Sequence, residues 1–499
     1  MKPSPRELIV VARPEAKLRV TPEGIISAQN TPALQELRKI LLRENATLQT
    51  LYGVSEDSLE NRMKEREALF SVPALRLSLY YHAKAPDENL EDLARALRTN
   101  ELIDSAYIKP GAEPATSATA TLVPPKPTFD LALVQSACDF TNDQTYLMPG
   151  EFGINVPAAR TMQGGDGQGI NIIDIEGAWC FKHSDLIDKK IELVGGFEIR
   201  DLAWRNHGTG VLGVLCGVDN NFGITGISPK ARVDAASIFG FPGFDVAPWG
   251  TSRATLLAAD KLGAGDVIVL ELHFPGPEAQ FKSGDKGYIP AEWWPDCHAA
   301  IIYATALNHV TVVAAAGNGA VNLDAEIYEE NPPAPIGPFP TGWKNPLSRT
   351  WSDSGSIFVG AGAPRGGVHS SSWGPGRSRL AFSNYGSMVD AQAWGKEVTT
   401  TGYKPLCGAA EEFHYTTLFS GTSSATAIVA GAVACLQGIR KAAGKPLSSM
   451  QVRNILQLTG SPQTDFPGTP QIQPRPKTER IGSLPDLEQM IQKANQLFP

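Results

Sequence analysis

The sequence predicts a doubly wound, mostly parallel α/β sheet preceded by a smaller α+β unit, and three observations carry this. From about residue 144 onward, short apolar runs at 170–175, 267–272, 310–316 and 357–361 alternate with helical stretches, the rhythm of βαβ units. Those runs are continuous in apolar character, as strands covered on both faces require. Residues 1–110 follow a different pattern of amphipathic helices between isolated strands, separated from the rest by a Pro/Ala/Thr-rich stretch.

In the first region, residues 8–12 form a short apolar strand. Asn30-Thr31-Pro32 then supplies a cap with proline at the first helical position, followed by a stripe of Leu34, Leu37, Ile40 and Leu41. The charged segment 55–67 reads as helix. Leu75, Leu77, Leu79 and Tyr81 alternate with polar partners as a half-buried strand. A further helix runs through Leu90, Leu93, Ala94 and Leu97, and a last strand covers 106–108. Strands separated by two amphipathic helices make an α+β sandwich of the split βαβ, ferredoxin-like kind. Residues 111–128, GAEPATSATATLVPPKPT, have almost nothing to bury and read as a linker, which with a processing region extends over 111–143; 144–499 is then the larger domain. Near the other end, the Pro-rich stretch 461–477 reads as a loop and 481–494 as a capped terminal helix.

Lys and Arg total 44 against 52 Asp and Glu, a net charge of -8 with no long run of either sign, so nucleic acid is excluded as a partner. Six cysteines without CxxC or Cys/His spacing imply neither a disulfide framework nor a zinc site. The start, MKPSPRELIVVARPEAK, holds only a short apolar run broken by Arg13, Pro14 and Glu15, a strand rather than a signal peptide. No apolar stretch approaches the roughly twenty residues of a membrane span. The expectation is a soluble protein with no membrane partner, cytoplasmic or exported without a recognisable signal.

The chemistry concentrates at a few strand ends and helix starts. Gly421 opens a tight turn into a helix of small residues and leaves Ser423 at its N-terminus, where free amides can meet an oxyanion; a serine there is also an ordinary cap. Asp174 ends the 170–173 run, and His207 opens His207-Gly208-Thr209-Gly210, a turn into another small-residue helix. Singly, these are a strand-end cap and a helix-start residue. Together, in the order Asp, His, Ser on one parallel sheet, they have the order of a nucleophilic triad.

Several blocks in this order resemble the subtilisin-like serine peptidase family: Ile172-Ile173-Asp174 with His183-Ser184-Asp185-Leu186, His207-Gly208-Thr209, Ala314-Ala315-Ala316-Gly317-Asn318, Phe382-Ser383-Asn384-Tyr385-Gly386 and Gly421-Thr422-Ser423-Ser424-Ala425. The similarity runs from about Gln144 into the last hundred residues. It implies a subtilisin-like fold and a serine endopeptidase acting on peptides or proteins, with Ser423 as nucleophile, His207 as base, Asp174 orienting it and Asn318 in the oxyanion hole. No cofactor is required for that chemistry. The resemblance also implies a structural calcium held by Gln144, Asp185 and Asn220, and an N-terminal domain that acts as an intramolecular inhibitor, its tail or cleavage region within 111–128.

The chain departs from the family at two places. The run 267–273 resembles the strand along which the family holds substrate, and where the family usually has Ser-Leu-Gly this sequence has Glu271, Leu272 and His273, beside Gly317, so specificity does not transfer. Ala427 stands where proline is common, which leaves a transpeptidase or macrocyclase as the rival reading, beside a catalytically silent binding module. Asp324, Glu326, Glu329 and Glu330 make an acidic loop that reads as a solvated face.

Overall fold

The computed structural model describes residues 2–28, 32–67, 76–116, 138–240, 249–366, 372–403 and 406–499. Strand β1 (Glu7–Ala12) is buried along its whole length because both its edges are paired. It joins β2 (Thr47–Thr50), β3 (Tyr80–Lys84) and β4 (Ile103–Lys109) in an antiparallel sheet ordered β2-β3-β1-β4. Helix α1 (Pro32–Arg43) connects β1 to β2, α2 (Glu56–Glu67) precedes β3, and α3 (Leu90–Leu97) connects β3 to β4. The stripes of α1 and α3 meet Leu8, Val10, Tyr81 and Ile108 on one face of the sheet. The other face carries Ile9, Val11 and Tyr107 into contact with the larger unit, where Tyr107 stacks on Trp294 and meets Phe339 edge-on at 5.0 Å.

This is the split βαβ arrangement, with two differences from the sequence pattern. Strand β2 was not expected: four half-exposed residues on an edge are too few and too polar to show a period. The following strand begins at Tyr80, since Leu77–Leu79 turn as a 3-10 helix. The Asn30-Thr31 cap, Leu75 and the linker from 117 to 137 lie outside the described residues.

The larger unit is built on β6 (Asn171–Glu176), β7 (Leu193–Gly195), β8 (Arg232–Ser237), β9 (Val267–Leu270), β12 (Thr311–Ala315), β13 (Ile357–Gly362) and β14 (Val389–Trp394). They form one parallel sheet ordered β14-β13-β12-β9-β6-β8-β7. A second, antiparallel sheet ordered β11-β10-β5 stands beside it, from β5 (Glu113–Pro114), β10 (Leu272–Pro275) and β11 (Tyr288–Pro290).

Successive strand residues point to opposite faces. Ile172, Val233, Val267, Val269 and Val313 enter the core shared with α4 (Leu202–Cys216) and α7 (Thr422–Ala442). Ile173, Ile175, Ile268, Leu270 and Val312 enter the core shared with α5 (Thr251–Lys261) and α6 (Pro295–Ile302). By the same parity Asp174 and Glu176 lie on the face of α4 and α7, the helices that carry His207 and Ser423.

Helix α4 starts five residues before His207, contrary to expectation, because Asp201 caps it by accepting from Ala203 N at 2.8 Å and Trp204 N at 3.2 Å. Two further helices, α8 (Ser449–Leu458), begun by a Ser448/Gln451 capping box, and α9 (Leu487–Leu497), capped by Asp486, pack against α7 or its sheet. Among the described residues, α7 alone is long and apolar enough to cross a membrane, and it is wholly buried as the central helix of the core. Cys138 and Cys407 form a disulfide, which the cysteine spacing did not predict; Cys180, Cys216, Cys297 and Cys435 are free and buried.

Candidate active site

Gly421 has a φ of +118°, a conformation that leaves the backbone free to turn into α7. Ser423, second in that helix, is fully buried, and its Oγ lies 3.4 Å from the Glu271 carbonyl oxygen. His207 is also fully buried, and its ring meets Phe419 edge-on at 5.6 Å.

The carboxylate nearest the imidazole is not the expected one. His207 Nδ1 lies 2.5 Å from Glu176 Oε1, whereas Asp174 Oδ2 accepts from the Trp179 indole N–H at 2.7 Å. The Nδ1 and carboxylate atoms are close without being aligned as a hydrogen bond, and Asp174 Oδ1 is likewise unpartnered. Asp174 and Glu176 are neighbours on one face of β6, and the longer glutamate reaches the ring. Burial raises both carboxyls well above the usual range, Asp174 further by the charge of Glu176. Burial pushes His207 down to about 3 against the pull of Asp174.

Asn318 follows β12 and is held by its oxygen: Thr422 N and Thr422 Oγ1 both donate to Oδ1, each at 2.9 Å. The Nδ2 group is buried and unpartnered, a donor left over. Beside it, Gly317 N donates to Thr422 Oγ1, and Asn384 Nδ2 donates to the carbonyls of Tyr288 and Ala316. The Phe382–Gly386 block thus fixes the backbone around the asparagine.

The residues singled out along the 267–273 strand are brought to the same place. Leu272 and His273 pair with Pro114 and Glu113 in antiparallel register, so the cleft is filled by the chain's own residues 113–116. Ala115 N donates to the Glu271 carbonyl at 2.9 Å, and Ser423 N donates to the Ala115 carbonyl at 3.2 Å. A Cβ on Gly421 would stand 2.1 Å from that carbonyl oxygen, so only glycine admits it here. The Glu271 carboxyl is fully buried, both of its oxygens unpartnered, and burial together with Asp174 and Glu176 raises it well above the usual range. His273 stacks on Tyr288 at 4.0 Å and accepts from Asn318 N.

Gln144, Asp185 and Asn220 come near one another but are arranged for hydrogen bonds. Asp185 accepts from Ile224 N, Tyr415 OH and Asn220 Nδ2, and Gln144 exchanges two bonds with the Thr225 backbone. Oxygens facing donors do not fit a calcium cage, which needs them turned toward one ion. Among the described residues no cluster of three His, Cys, Asp or Glu side chains is suited to a metal. In the acidic loop, Asp324 accepts from Ser387 N and Oγ, and Glu329 from Asn345.

Sequence reasoning missed Glu176, the 113–116 contact and Tyr288. Only the first left a signal, since a carboxylate two residues beyond Asp174 shares its face of the strand.

This architecture, a seven-stranded parallel sheet with Asp174, Glu176, His207, Asn318 and Ser423 along one edge of its strand ends, is a subtilisin-like fold. Fervidolysin from Fervidobacterium pennivorans, a keratinolytic enzyme related to subtilisin, superimposes with a TM-score of 0.52 at 16% identity, over 98% of this chain and 61% of its own. The sequence profile of the Subtilase family (Peptidase_S8) matches residues 280–474, a stretch that includes Asn318 and Ser423, and over that stretch the chain is similar to the family. A protease from Pseudoalteromonas arctica (TM-score 0.45, 19% identity, 72% of this chain and 99% of that one) and the prenylagaramide maturation protease PagA (0.42, 17%, 68% and 96%) overlap more loosely. No curated protein matches the sequence.

Proposed function

We propose that the chain is a latent serine endopeptidase. The observation that carries this reading is the peptide unit lying across Ser423: the Ala115 carbonyl oxygen accepts from the serine's own N–H while the Ala115 N–H is held by Glu271 O. This is how a scissile carbonyl is presented to a nucleophile and an oxyanion hole. Ser423 Oγ attacks the Ala115 carbonyl carbon, and its proton passes to His207 Nε2, then to the leaving Thr116 amine; water releases the acyl group by the reverse path. Ser423 N–H and the spare Asn318 Nδ2 donate to the developing oxyanion. Glu176 faces the imidazolium that forms, with Asp174, anchored by Trp179, behind it. The N-terminal region, of which β5 is the tail, occupies the cleft and acts as the inhibitor until the Ala115–Thr116 bond is cut. The Cys138–Cys407 disulfide favours an exported protein, because such bonds persist in oxidising compartments.

The test is intact-mass spectrometry of the full-length protein and its Ser423→Ala form, with and without a fluorophosphonate. The expected result is one adduct and a fragment ending at Ala115 from the native chain, and neither from the variant. Absence of any adduct on the native chain removes the peptidase reading. Fragment release by the Ser423→Ala form removes self-processing.

A further inference from the structure

The segment in the cleft shows more than where the carbonyl lies. Glu113, two residues before Ala115, sends its side chain across β10 to β11. Its Oε1 accepts from Tyr288 OH at 2.9 Å and from Ser283 Oγ at 2.5 Å. The tyrosine is held for this task. Its hydroxyl oxygen already accepts from Gly284 N at 3.2 Å, which turns the phenolic proton toward the glutamate. Its ring is buried and stacked on His273, the residue directly opposite Glu113 in the strand register. The histidine that replaces the family's usual small residue thus braces the group that meets Glu113.

We propose that Tyr288 and Ser283 form a subsite for an acidic side chain at the third residue before the cleaved bond, and that Glu113 is the chain's own example of the ligand. This rests on the peptidase reading above and names the substrate class of that site. Two hydroxyl donors converging on one oxygen match a carboxylate, satisfy an amide less well, and give an aliphatic or ammonium side chain no partner. Proline is accepted next to it because Pro114 lies on the edge strand β5, and the residue at the cleaved bond is small, as Ala115 is.

The test gives the full-length chain a series of fluorogenic peptides Ala-X-Pro-Ala-Thr with X as Glu, Gln, Leu or Lys, beside its Tyr288→Phe and Ser283→Ala forms. Fluorophosphonate uptake is measured on the same samples. The expected result is a kcat/KM for Glu about tenfold or more above Leu and Lys, with Gln between. In Tyr288→Phe, which keeps the ring stack, the Glu-to-Leu ratio collapses toward one; in Ser283→Ala it falls partway. Equal rates across X, or a Glu preference that survives both substitutions, overturns the inference. So does a chain that takes up the fluorophosphonate yet cleaves no peptide of the series. A chain that neither labels nor cleaves overturns the peptidase reading itself, so the two failures are distinguishable.

Discussion

Glu176 is the residue whose position most alters the chemistry expected of this site. It and Asp174 project from the same face of β6, yet only Glu176 touches His207 Nδ1, while Asp174 is engaged by Trp179. Glu176→Gln is therefore expected to slow fluorophosphonate labelling of Ser423 by about 10² or more, and Asp174→Asn by less. The opposite order would return the orienting role to Asp174. A second residue-scale effect lies away from the cleft. Burial raises the Asp185 carboxyl to about 6, so the folded chain holds that proton more tightly than the unfolded chain does. A carboxyl raised in this way contributes stability below pH 4 that is lost as pH rises toward 6. The unfolding free energy of the native chain relative to Asp185→Asn, taken from urea titrations, should fall across that window by on the order of 3 kcal/mol in all. A pH-independent difference would show that Asp185 titrates normally.

At the scale of elements, β1 and β4 are tied to the start of α6 by a buried ion cluster. Lys109, on β4, lies 2.9 Å from Glu7 of β1 and in contact with Asp296 of α6, which also accepts from Tyr107 OH at 2.9 Å. Burial would lower the lysine, but Asp296 and Glu7 keep it charged and raise it. Lys109→Met leaves two carboxylates facing each other without a cation, an expected loss of about 3–5 kcal/mol. The triple form with Glu7→Gln and Asp296→Asn should recover much of it. Denaturant titration checks both, and a Lys109→Met chain as stable as the native one would mean that the interface rests on Tyr107, Trp294 and Phe339 alone.

For the whole molecule, the Cys138–Cys407 disulfide ties the start of the larger unit to a point 269 residues further along the chain. Denatured but unreduced protein should take up iodoacetamide on four cysteines, and on six after reduction. Six without reductant would show that the bond is absent. After self-processing, mass spectrometry should find the piece beginning at Thr116 unchanged in this thiol count.

The sequence by itself determined the parallel sheet, the helices that enclose it, and the turns that carry Ser423 and Asn318. Each of these is written locally: a continuous apolar run for a doubly covered strand, a glycine turn before a small-residue helix, an asparagine after a strand. The α1 and α3 stripes were legible for the same reason. The tertiary structure alone decided which of two carboxylates on one strand face reaches the imidazole, because side-chain length and the Trp179 partner separate them and strand parity does not. It also decided the pairing of Cys138 with Cys407 across 269 residues, the edge strand β2, and the docking of residues 113–116 onto β10. These are non-local contacts. A polar, proline-containing stretch read alone has nothing to bury, and it becomes a strand only when an unpaired edge and the Ser423 amide are brought to it by the rest of the fold.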